Sequence, residues 1–146
     1  EFLRSKPIEG RLGEVSENSY NLPLYTNGLK YDLLSCNKDV FEYYKGLIAF
    51  RKAHKGLRMA TQKEVEEHLV FFPDKAKNVV SFIIQDEKEQ IFVAYNANKD
   101  AVRISLPEGK AWNLCVDGTK AGCDTLQQIS GTYEIPGIAC IAAYRS

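Results

Sequence analysis

The residues of this sequence whose types could bind a metal ion or do thiol chemistry are four cysteines and two histidines. They are Cys36, Cys115, Cys123, Cys140, His54 and His68. No two of the cysteines have the C-x-x-C spacing of a zinc site, and neither histidine completes a zinc pattern with them. Cys115 and Cys140 lie within apolar, strand-like runs, where a free cysteine behaves as a small hydrophobic residue. We therefore predict four reduced structural thiols, no metal site and no cofactor, with a disulfide left open for an exported protein.

Carboxylates are the groups that could carry out acid–base catalysis, and the chain has many of them, among them the run Glu64, Glu66 and Glu67. The run lies in TQKEVEEHL, where Thr61 and Glu64 have the spacing of a capping box and predict a helix of one or two turns. A solvated helix face explains such a run without any catalytic role. We therefore assign no catalytic residue to this chain.

The charge of the sequence restricts its partners. The 19 lysines and arginines balance 19 aspartates and glutamates, so the formal net charge is zero. No overall field then attracts nucleic acid or an acidic membrane surface, and no apolar run approaches the ~20 residues of a membrane span. We predict that neither nucleic acid nor a membrane is a partner, and we expect a cytoplasmic location, with secretion as the alternative.

The clearest element is the segment 37–55, whose apolar residues repeat at the period of a helix. At ~100° per residue they occupy about half of the circumference; they are Val40, Phe41, Tyr43, Tyr44, Leu47, Ile48 and Phe50. Asp39 in the first turn and the basic residues Arg51, Lys52, His54 and Lys55 in the last turn suit the helix dipole, and Gly56 provides a stop. So wide an apolar face predicts that the helix packs on something substantial.

From residue 69 onwards the hydrophobic period changes to two. Short β-rich runs separated by turn residues lie at 69–72, 79–85, 91–97, 101–106, 111–116, 125–129, 132–135 and 138–144. Asp117-Gly118 and Ser130-Gly131 are signals for tight turns between them. Val102, Ile104 and Leu106 alternate with polar residues, as in a strand with one buried and one solvated face. Strands this short and this closely spaced favour an antiparallel sandwich, in which two sheets bury their apolar faces against each other.

Residues 1–36 show little periodicity and are interrupted by Gly10, Gly13, Pro23 and Gly28. We therefore predict a long irregular loop, and loops of this length are usually functional or disordered. The chain opens without an initiator methionine or a cleavable signal, so we expect a piece of a longer protein.

Several stretches resemble one family of glycoside hydrolases. DVFEYYKGLIAFRKAH is similar to the last barrel helix of type I pullulanases, which are debranching enzymes of the α-amylase superfamily. EFLRSK and the later NSYN are similar to the segment after their eighth barrel strand. NVVSFIIQD, IFVAYNANKDAV, LPEGKAWNLCVDG and GTYEIPGIACIAAY follow in the order of their C-terminal domain. The resemblance is collinear and covers nearly the whole chain.

The resemblance implies a mainly β fold, with a C-terminal antiparallel β-sandwich at 58–146. The loop and the last helix of a truncated (β/α)8 barrel would precede it at 1–57. The chain would then be the non-catalytic C-terminal portion of a pullulanase-like hydrolase that cleaves α-1,6 linkages in α-glucans such as pullulan or glycogen, with the catalytic carboxylates upstream of Glu1. Without its barrel, the helix 37–55 needs another cover, so self-association through this helix is a further predicted interaction.

The resemblance also implies candidate substrate-binding residues, because loops after barrel strands line the active-site mouth. The family pattern for this loop matches at Asn18, Ser19, Tyr20, Asn21, Pro23, Asn27 and Leu29 and fails at Leu22, Leu24, Lys30 and Tyr31. Amide groups bind sugar hydroxyls, and an aromatic face packs on a sugar ring. The candidates are Arg4, Asn18, Tyr20 and Asn21, with a structural loop as the alternative, since two acidic positions of the pattern are lost.

A second hypothesis, from another functional class, is a stand-alone β-sandwich carbohydrate-binding module that holds glucan without cleaving it. Trp112 is the residue that would bind the glucan. Its ring would then form an exposed platform. Trp112 alternates with Leu114 and Val116, which instead predicts packing in the core. A related debranching or branching enzyme of the same superfamily would share this architecture, and the sequence leaves that choice open.

Overall fold

A computed structural model describes residues 1–73 and 76–146 of the chain. The chain divides into two compact units, Glu1–Tyr44 and Lys45–Ser146. The prediction that residues 1–57 are the tail of a barrel and residues 58–146 are a sandwich domain depends on packing against a barrel. It therefore stays a prediction.

The first unit contains more regular structure than the predicted irregular loop. It has a two-stranded antiparallel hairpin, β1 (Pro7–Ile8) and β2 (Arg11–Val15), and two one-turn helices, α1 (Leu24–Asn27) and α2 (Leu33–Cys36). Gly10 makes the hairpin turn with φ +75°, a left-handed conformation that glycine adopts without strain. All five side chains of β2 are exposed, so no apolar alternation marks this strand in the sequence.

Helix α3 (Lys38–Ala53) is the predicted amphipathic helix, with Asp39 in its first turn and Arg51 and Lys52 in its last. A short 3₁₀ turn follows at Lys55–Arg58, and then helix α4 (Gln62–His68). The predicted capping box of α4 is confirmed, because the Glu64 N–H donates to the Thr61 hydroxyl and the Thr61 N–H donates to the Glu64 carboxylate. The two bonds satisfy amides that the first turn leaves unpaired.

The eight predicted strands are all present, and they form two antiparallel sheets. The six-stranded sheet has the order β3 (Leu69–Phe72), β4 (Val79–Gln85), β5 (Gln90–Asn96), β10 (Ala139–Arg145), β7 (Trp112–Val116) and β8 (Gln127–Ile129). The two-stranded sheet pairs β6 (Val102–Ser105) with β9 (Thr132–Ile135). The prediction of a mainly β fold with antiparallel sheets is confirmed.

The hydrophobic core draws side chains from both sheets. Its buried members are Ile83, Phe92, Ala94, Ile104, Leu106, Trp112, Leu114, Ile129, Ile135, Ile141 and Ala143. Ile104 and Ile135 come from the two-stranded sheet, and most of the others come from the six-stranded sheet. Each large apolar side chain that is fully buried stabilises the fold by about 1.5–3 kcal/mol, so this core is the main source of stability of the second unit.

A buried asparagine joins the ends of two strands in different sheets. The Asn96 Nδ2 donates to the carbonyl oxygens of Asp100 at 2.9 Å, Ile135 at 3.2 Å and Pro136 at 2.9 Å. Its Oδ1 accepts from the Asn98 N–H at 2.9 Å. Because a buried amide without partners would destabilise the fold, this network fixes the end of β5 against the end of β9.

The predicted turns are confirmed at both positions. The Asp117 carboxylate accepts from the backbone N–H groups of Thr119 and Lys120, each at 2.7 Å. Burial alone would raise the pKa of Asp117, but these hydrogen bonds and the one from the Thr119 hydroxyl outweigh it, so the pKa lies below its ordinary value. Gly131 separates β8 from β9 with φ +70°.

All four cysteines are unpaired, in agreement with the predicted free thiols. Cys36 and Cys123 are exposed, and Cys115 is buried, which raises the pKa of its thiol to about 11. Within residues 1–73 and 76–146, no group of three or more histidine, cysteine or acidic side chains is placed to hold a metal ion. In the same described ranges, no helix is long and apolar enough to cross a membrane.

Candidate functional site

The candidate substrate loop, residues 18–27, is held in shape by the side chain of Asn27. The Asn27 Nδ2 donates to the carbonyl oxygen of Ser19 at 2.8 Å and to that of Leu22 at 2.9 Å. The backbone N–H of Asn27 donates to the carbonyl of Pro23 at 3.0 Å. One residue at the end of the loop therefore fixes the turn that carries the candidate residues.

Two buried hydroxyl groups attach the loop to the first strand and to Lys6, the residue before it. The Lys6 Nζ donates to the Ser19 hydroxyl at 2.6 Å, and the Thr26 hydroxyl donates to the Pro7 carbonyl at 2.9 Å. Ser19 and Thr26 are both buried. A buried hydroxyl without a partner is unfavourable, so these two bonds favour one arrangement of the loop against β1.

The structure brings three of the four candidate residues onto one exposed turn. The Asn18 Oδ1 accepts the backbone N–H of Tyr20 at 3.1 Å, which is an Asx turn. The Tyr20 side chain is 83% exposed. Asn21 has φ +61°, a left-handed conformation that asparagine tolerates better than most residues. The turn thus presents an aromatic ring and amide groups to solvent, and sugar binding by Asn18, Tyr20 and Asn21 stays a prediction.

The side chain of the fourth candidate, Arg4, contacts the backbone of the loop. The guanidinium of Arg4 donates from Nη2 to the carbonyl oxygen of Asn27. The backbone N–H of Arg4 donates to the Glu1 carboxylate at 3.0 Å. In this arrangement Arg4 supports the end of the loop, and its contact with a substrate also stays a prediction.

We expect Asn27→Ala to loosen this loop. The change removes two neutral hydrogen bonds, and such bonds contribute roughly 0.5–1.5 kcal/mol each. The free energy of local opening should therefore fall by about 1–3 kcal/mol, measured by hydrogen exchange of the amides of residues 19–28. Tyr20→Ala is the matched control, because it removes an exposed ring and should leave exchange unchanged. Equal exchange rates in the two variants would show that Asn27 does not hold the loop.

His54 lies directly after helix α3 and is buried in the second unit. Its ring packs between Phe50, with ring centroids 4.2 Å apart, and Tyr144, at 4.8 Å. Its Nδ1 is 2.7 Å from Oε2 of Glu89 in the turn between β4 and β5. The histidine therefore attaches the end of α3 to the six-stranded sheet.

The prediction that His54 belongs to the basic last turn of the helix is wrong. The helix ends at Ala53, and His54 has φ −101° and ψ 105°, an extended conformation that turns its ring inward. Burial of a polar ring becomes favourable here because the Glu89 carboxylate bonds to it.

The turn that carries Glu89 is itself fixed by Asp86. The Asp86 carboxylate accepts from the backbone N–H groups of Lys88 at 2.7 Å and Glu89 at 2.9 Å. These two bonds lower the pKa of Asp86 below its ordinary value, since they favour the ionised form. The Glu89 carboxylate is thereby held where His54 can reach it.

The hypothesis that Trp112 forms an exposed sugar platform is wrong, and its predicted place in the core is confirmed. Trp112 is 0% exposed. Its indole N–H donates to the Pro107 carbonyl at 3.1 Å, and its ring lies 5.7 Å from that of Phe92. The guanidinium of Arg145 lies 4.1 Å from the centroid of the indole ring. A glucan chain has no access to this ring.

Sequence reasoning missed two residues that organise these sites. Asn27 matched the family pattern, but the match gave no role, although an Asn-Gly pair is a turn signal. His54 follows Phe50 at a spacing of four and lies two residues before Gly56. A histidine in line with an apolar face is the signal that favours an inward ring at this position.

Comparison with known proteins identifies similar sequences over most of the chain. Residues 65–120 match the family model "Pullulanase, all-beta domain". The pullulanase of Bacillus subtilis (strain 168) is 27% identical over 149 residues, which cover 99% of this chain and 20% of that protein. An isoamylase of Flavobacterium sp. is 33% identical over 129 residues, covering 70% of this chain and 17% of that protein. The chain thus spans about a fifth of the length of these relatives.

Solved structures show the same similarity. The pullulanase from Bacillus acidopullulyticus superposes with a TM-score of 0.86 and 28% identity, over 99% of this chain and 17% of that one. The type I pullulanase of Bacillus subtilis str. 168, complexed with maltose, gives a TM-score of 0.81 and 25% identity, over 99% of this chain and 20% of that one. Both units of the chain therefore have counterparts in these enzymes.

Proposed function

Since this chain resembles the C-terminal part of a type I pullulanase and matches the pullulanase all-beta domain at residues 65–120, we propose that it is the non-catalytic C-terminal portion of a glycoside hydrolase. The whole enzyme would cleave α-1,6 linkages in pullulan, glycogen or related α-glucans. The role of this portion would be to complete the barrel with α3 and to support it with the sandwich.

The observation that supports this role most directly is the uneven burial of α3. Phe50 is buried at the end of the helix that packs on the sandwich, whereas Ile48, two residues earlier, is 54% exposed. An apolar helix face is normally covered in a folded protein. A helix attached to the sandwich at one end and apolar along an exposed side fits an element shared with a barrel.

The substrate class follows from the similar enzymes and the exposed turn. The Bacillus subtilis relative was solved with maltose bound. In this chain the turn at 18–21 presents the Tyr20 ring and two amides, which are groups that bind sugar rings and hydroxyls. We propose that this turn contacts an α-glucan at the rim of the active site of the whole enzyme.

The reaction itself would be carried out outside this chain. Retaining glycosidases place two carboxyl groups about 5 Å apart, one as nucleophile and one as general acid. In a (β/α)8 barrel such residues lie at the carboxyl ends of the strands. The 146 residues would contribute stability and a substrate contact, and no group that reacts.

The test compares the isolated chain with the longer polypeptide that contains it, using pullulan as substrate and new reducing ends as the readout. We expect no turnover by the isolated chain and hydrolysis by the longer polypeptide. Turnover by the isolated chain would contradict the assignment of the reaction to other parts of the enzyme. Titration of the isolated chain and of its Tyr20→Ala variant with maltotetraose decides the binding-module alternative, which requires saturable binding that the Tyr20→Ala change leaves intact.

A further inference from the structure

Two of the four free cysteines lie close together at the base of the turn between β7 and β8. The Cys115 Sγ lies 3.6 Å from the carbonyl oxygen of Cys123, to which it donates a weak hydrogen bond. A carbonyl oxygen lies about 3 Å from the β-carbon of its own residue, so the Cys115 sulfur is within roughly 7 Å of the Cys123 β-carbon. A small adjustment would therefore bring the two sulfurs to the separation of a disulfide.

The backbone of the turn already holds its two ends together. The Gly122 N–H donates to the carbonyl oxygen of Cys115 at 3.2 Å. Val116 and Ala121 are paired by an isolated β-bridge. A disulfide from Cys115 to Cys123 would close a loop whose ends are already neighbours, so it would require little further ordering of the chain.

Glycine at position 122 gives Cys123 the freedom to make the remaining adjustment. Cys123 is exposed and directly follows Gly122. A β-carbon at Gly122 would lie 4.0 Å from the backbone nitrogen of Asp124, which is an ordinary contact distance. Because glycine accepts a wide range of backbone angles, a rotation at this residue can turn the Cys123 sulfur toward Cys115.

The two thiols have different environments, which assigns them different parts in a reaction. Cys123 is exposed, so a reagent in solution reaches it first. Cys115 is buried, and this burial, together with the nearby Cys123, raises the pKa of its thiol to about 11. A buried thiol that is almost wholly protonated reacts slowly with dissolved reagents. It can still react with a sulfur that is held next to it, so Cys115 is suited to the second step.

We propose that Cys115 and Cys123 are a modification site that takes small-molecule disulfides such as oxidised glutathione and is converted by them into a reversible internal disulfide. The inference is independent of the proposed function, because it involves neither a glucan nor a barrel. It also gives a role to two thiols that the proposed function does not use.

The reaction consists of two thiol–disulfide exchanges. The Cys123 thiolate attacks one sulfur of oxidised glutathione, whose S–S bond breaks, and one glutathione leaves and takes up the proton that Cys123 lost. The Cys115 thiolate then attacks the Cys123 sulfur, and the second glutathione leaves with the proton of Cys115. The protein loses two electrons and two protons, and oxidised glutathione gains both.

The disulfide would act on helix α3 through the turn. The helix approaches the turn so closely that a β-carbon at Gly46 would overlap the carbonyl group of Ala121. Ala121 lies within the loop that the disulfide closes. A closed loop has fewer conformations available when it opens, so the disulfide would stabilise the turn on which this part of α3 rests. The oxidation state of the two thiols would thus set how firmly the turn supports the helix.

The test incubates the 146-residue chain with oxidised glutathione at about pH 8, where exposed thiols are partly ionised. The remaining thiols are then alkylated, and tryptic peptides are analysed by mass spectrometry. Lys120 lies between the two cysteines, so trypsin places them on separate peptides, 111–120 and 121–145. Since Cys140 shares the second peptide, all samples carry Cys140→Ala. We expect the two peptides to be joined by a disulfide that dithiothreitol reduces.

Two controls accompany this measurement. Cys123→Ser replaces one sulfur by oxygen and should give no joined peptide. Cys36 is also exposed, so its modification shows that the reagent has reacted.

Amide hydrogen exchange measures the effect of the disulfide on the turn. The N–H groups of Asp117 and Gly122 both donate across the turn, to the carbonyl oxygens of Lys120 and Cys115. In the oxidised chain these two amides should exchange on the order of tenfold more slowly than in the reduced chain. Reduction with dithiothreitol should restore the faster exchange.

Four other results would each overturn part or all of the proposal. A glutathione adduct that stays on Cys123 without a joined peptide would refute the pair, and so would joining that occurs only in chains unfolded by urea. Joined peptides from two different chains, seen as a dimer in non-reducing electrophoresis, would assign the reaction to a second copy. An internal disulfide that leaves the exchange of the turn amides unchanged would refute its effect on the support of α3.

Discussion

Replacing Trp112 by alanine is expected to lower the free energy of unfolding of the sandwich by about 3–5 kcal/mol, the usual range for removing a buried tryptophan. The ring is 0% exposed and packs against Phe92 within the core. Alanine would leave a cavity and would also leave the Pro107 carbonyl without its indole donor. Since the stability of a whole domain is roughly 5–15 kcal/mol, the loss would be a large fraction of it.

The effect extends beyond the core because Arg145 depends on the same ring. The Arg145 guanidinium lies on the indole and donates through Nη1 to the carbonyl oxygens of Glu108 and Lys110, each at 3.0 Å. Without the ring, the cation–π interaction is lost and the loop at 107–110 loses one side of its support. The loop should therefore exchange its amide hydrogens faster in the variant.

The measurement is denaturant unfolding followed by circular dichroism, because Trp112 is the only tryptophan of the sequence and its fluorescence disappears in the variant. Trp112→Phe is the control, since it keeps an aromatic ring in the core and removes the N–H donor. We expect it to be destabilised less than Trp112→Ala. A Trp112→Ala variant with unchanged stability would mean that the ring is not part of the core.

The fold was predictable where local pattern and burial coincide. Val102, Ile104 and Leu106 alternate with exposed residues because β6 has one face in the core, so the sequence carries the period of the strand. The capping box at Thr61 and the turn at Asp117 were predictable for a similar reason, because their hydrogen bonds join residues two or three positions apart. Hydrogen bonds between residues so close in the chain can be predicted directly from the sequence.

Strand order was not predictable in the same way, because it depends on contacts between distant residues. The last strand, β10, lies between β5 and β7. Nothing in the alternation of Ile141 and Ala143 with their neighbours specifies which strands pair with them. The hairpin at 7–15 also gave no signal, since its side chains bury no apolar face and its turn depends on Gly10.

The residues of the candidate site were predictable from the sequence, but the contacts that hold them in place were not. The resemblance indicated Asn18, Tyr20 and Asn21, and the structure places all three on one exposed turn. The residue that holds the turn, Asn27, acts through bonds to two backbone carbonyls up to eight residues away. A hydrogen-bond partner of this kind becomes visible only when the backbone conformation is known.

Replacing Gly46 by alanine is expected to destabilise the fold by about 1–3 kcal/mol, the usual cost of inserting a methyl group into a closely packed site. Helix propensity predicts the opposite sign, because alanine is about 1 kcal/mol better than glycine in a helix interior. In the structure a β-carbon at position 46 would overlap the carbonyl group of Ala121. The obstacle is backbone, so no side-chain rotation can relieve it.

The loop that carries Ala121 also has little freedom to move away. Ala121 is paired with Val116 by an isolated β-bridge, and the neighbouring Lys120 carbonyl accepts the Asp117 N–H at 2.9 Å. The methyl group must therefore displace either the helix or this turn, and displacing the helix would pull His54 away from Glu89.

Trp112 fluorescence during denaturant unfolding gives the free energy of unfolding of the Gly46→Ala variant. Ala49→Gly, at an exposed position of the same helix, should cost about 1 kcal/mol through propensity alone. If Gly46→Ala instead raised stability, helix propensity would dominate at that site, and the close approach of α3 to the 117–121 turn would have to be abandoned.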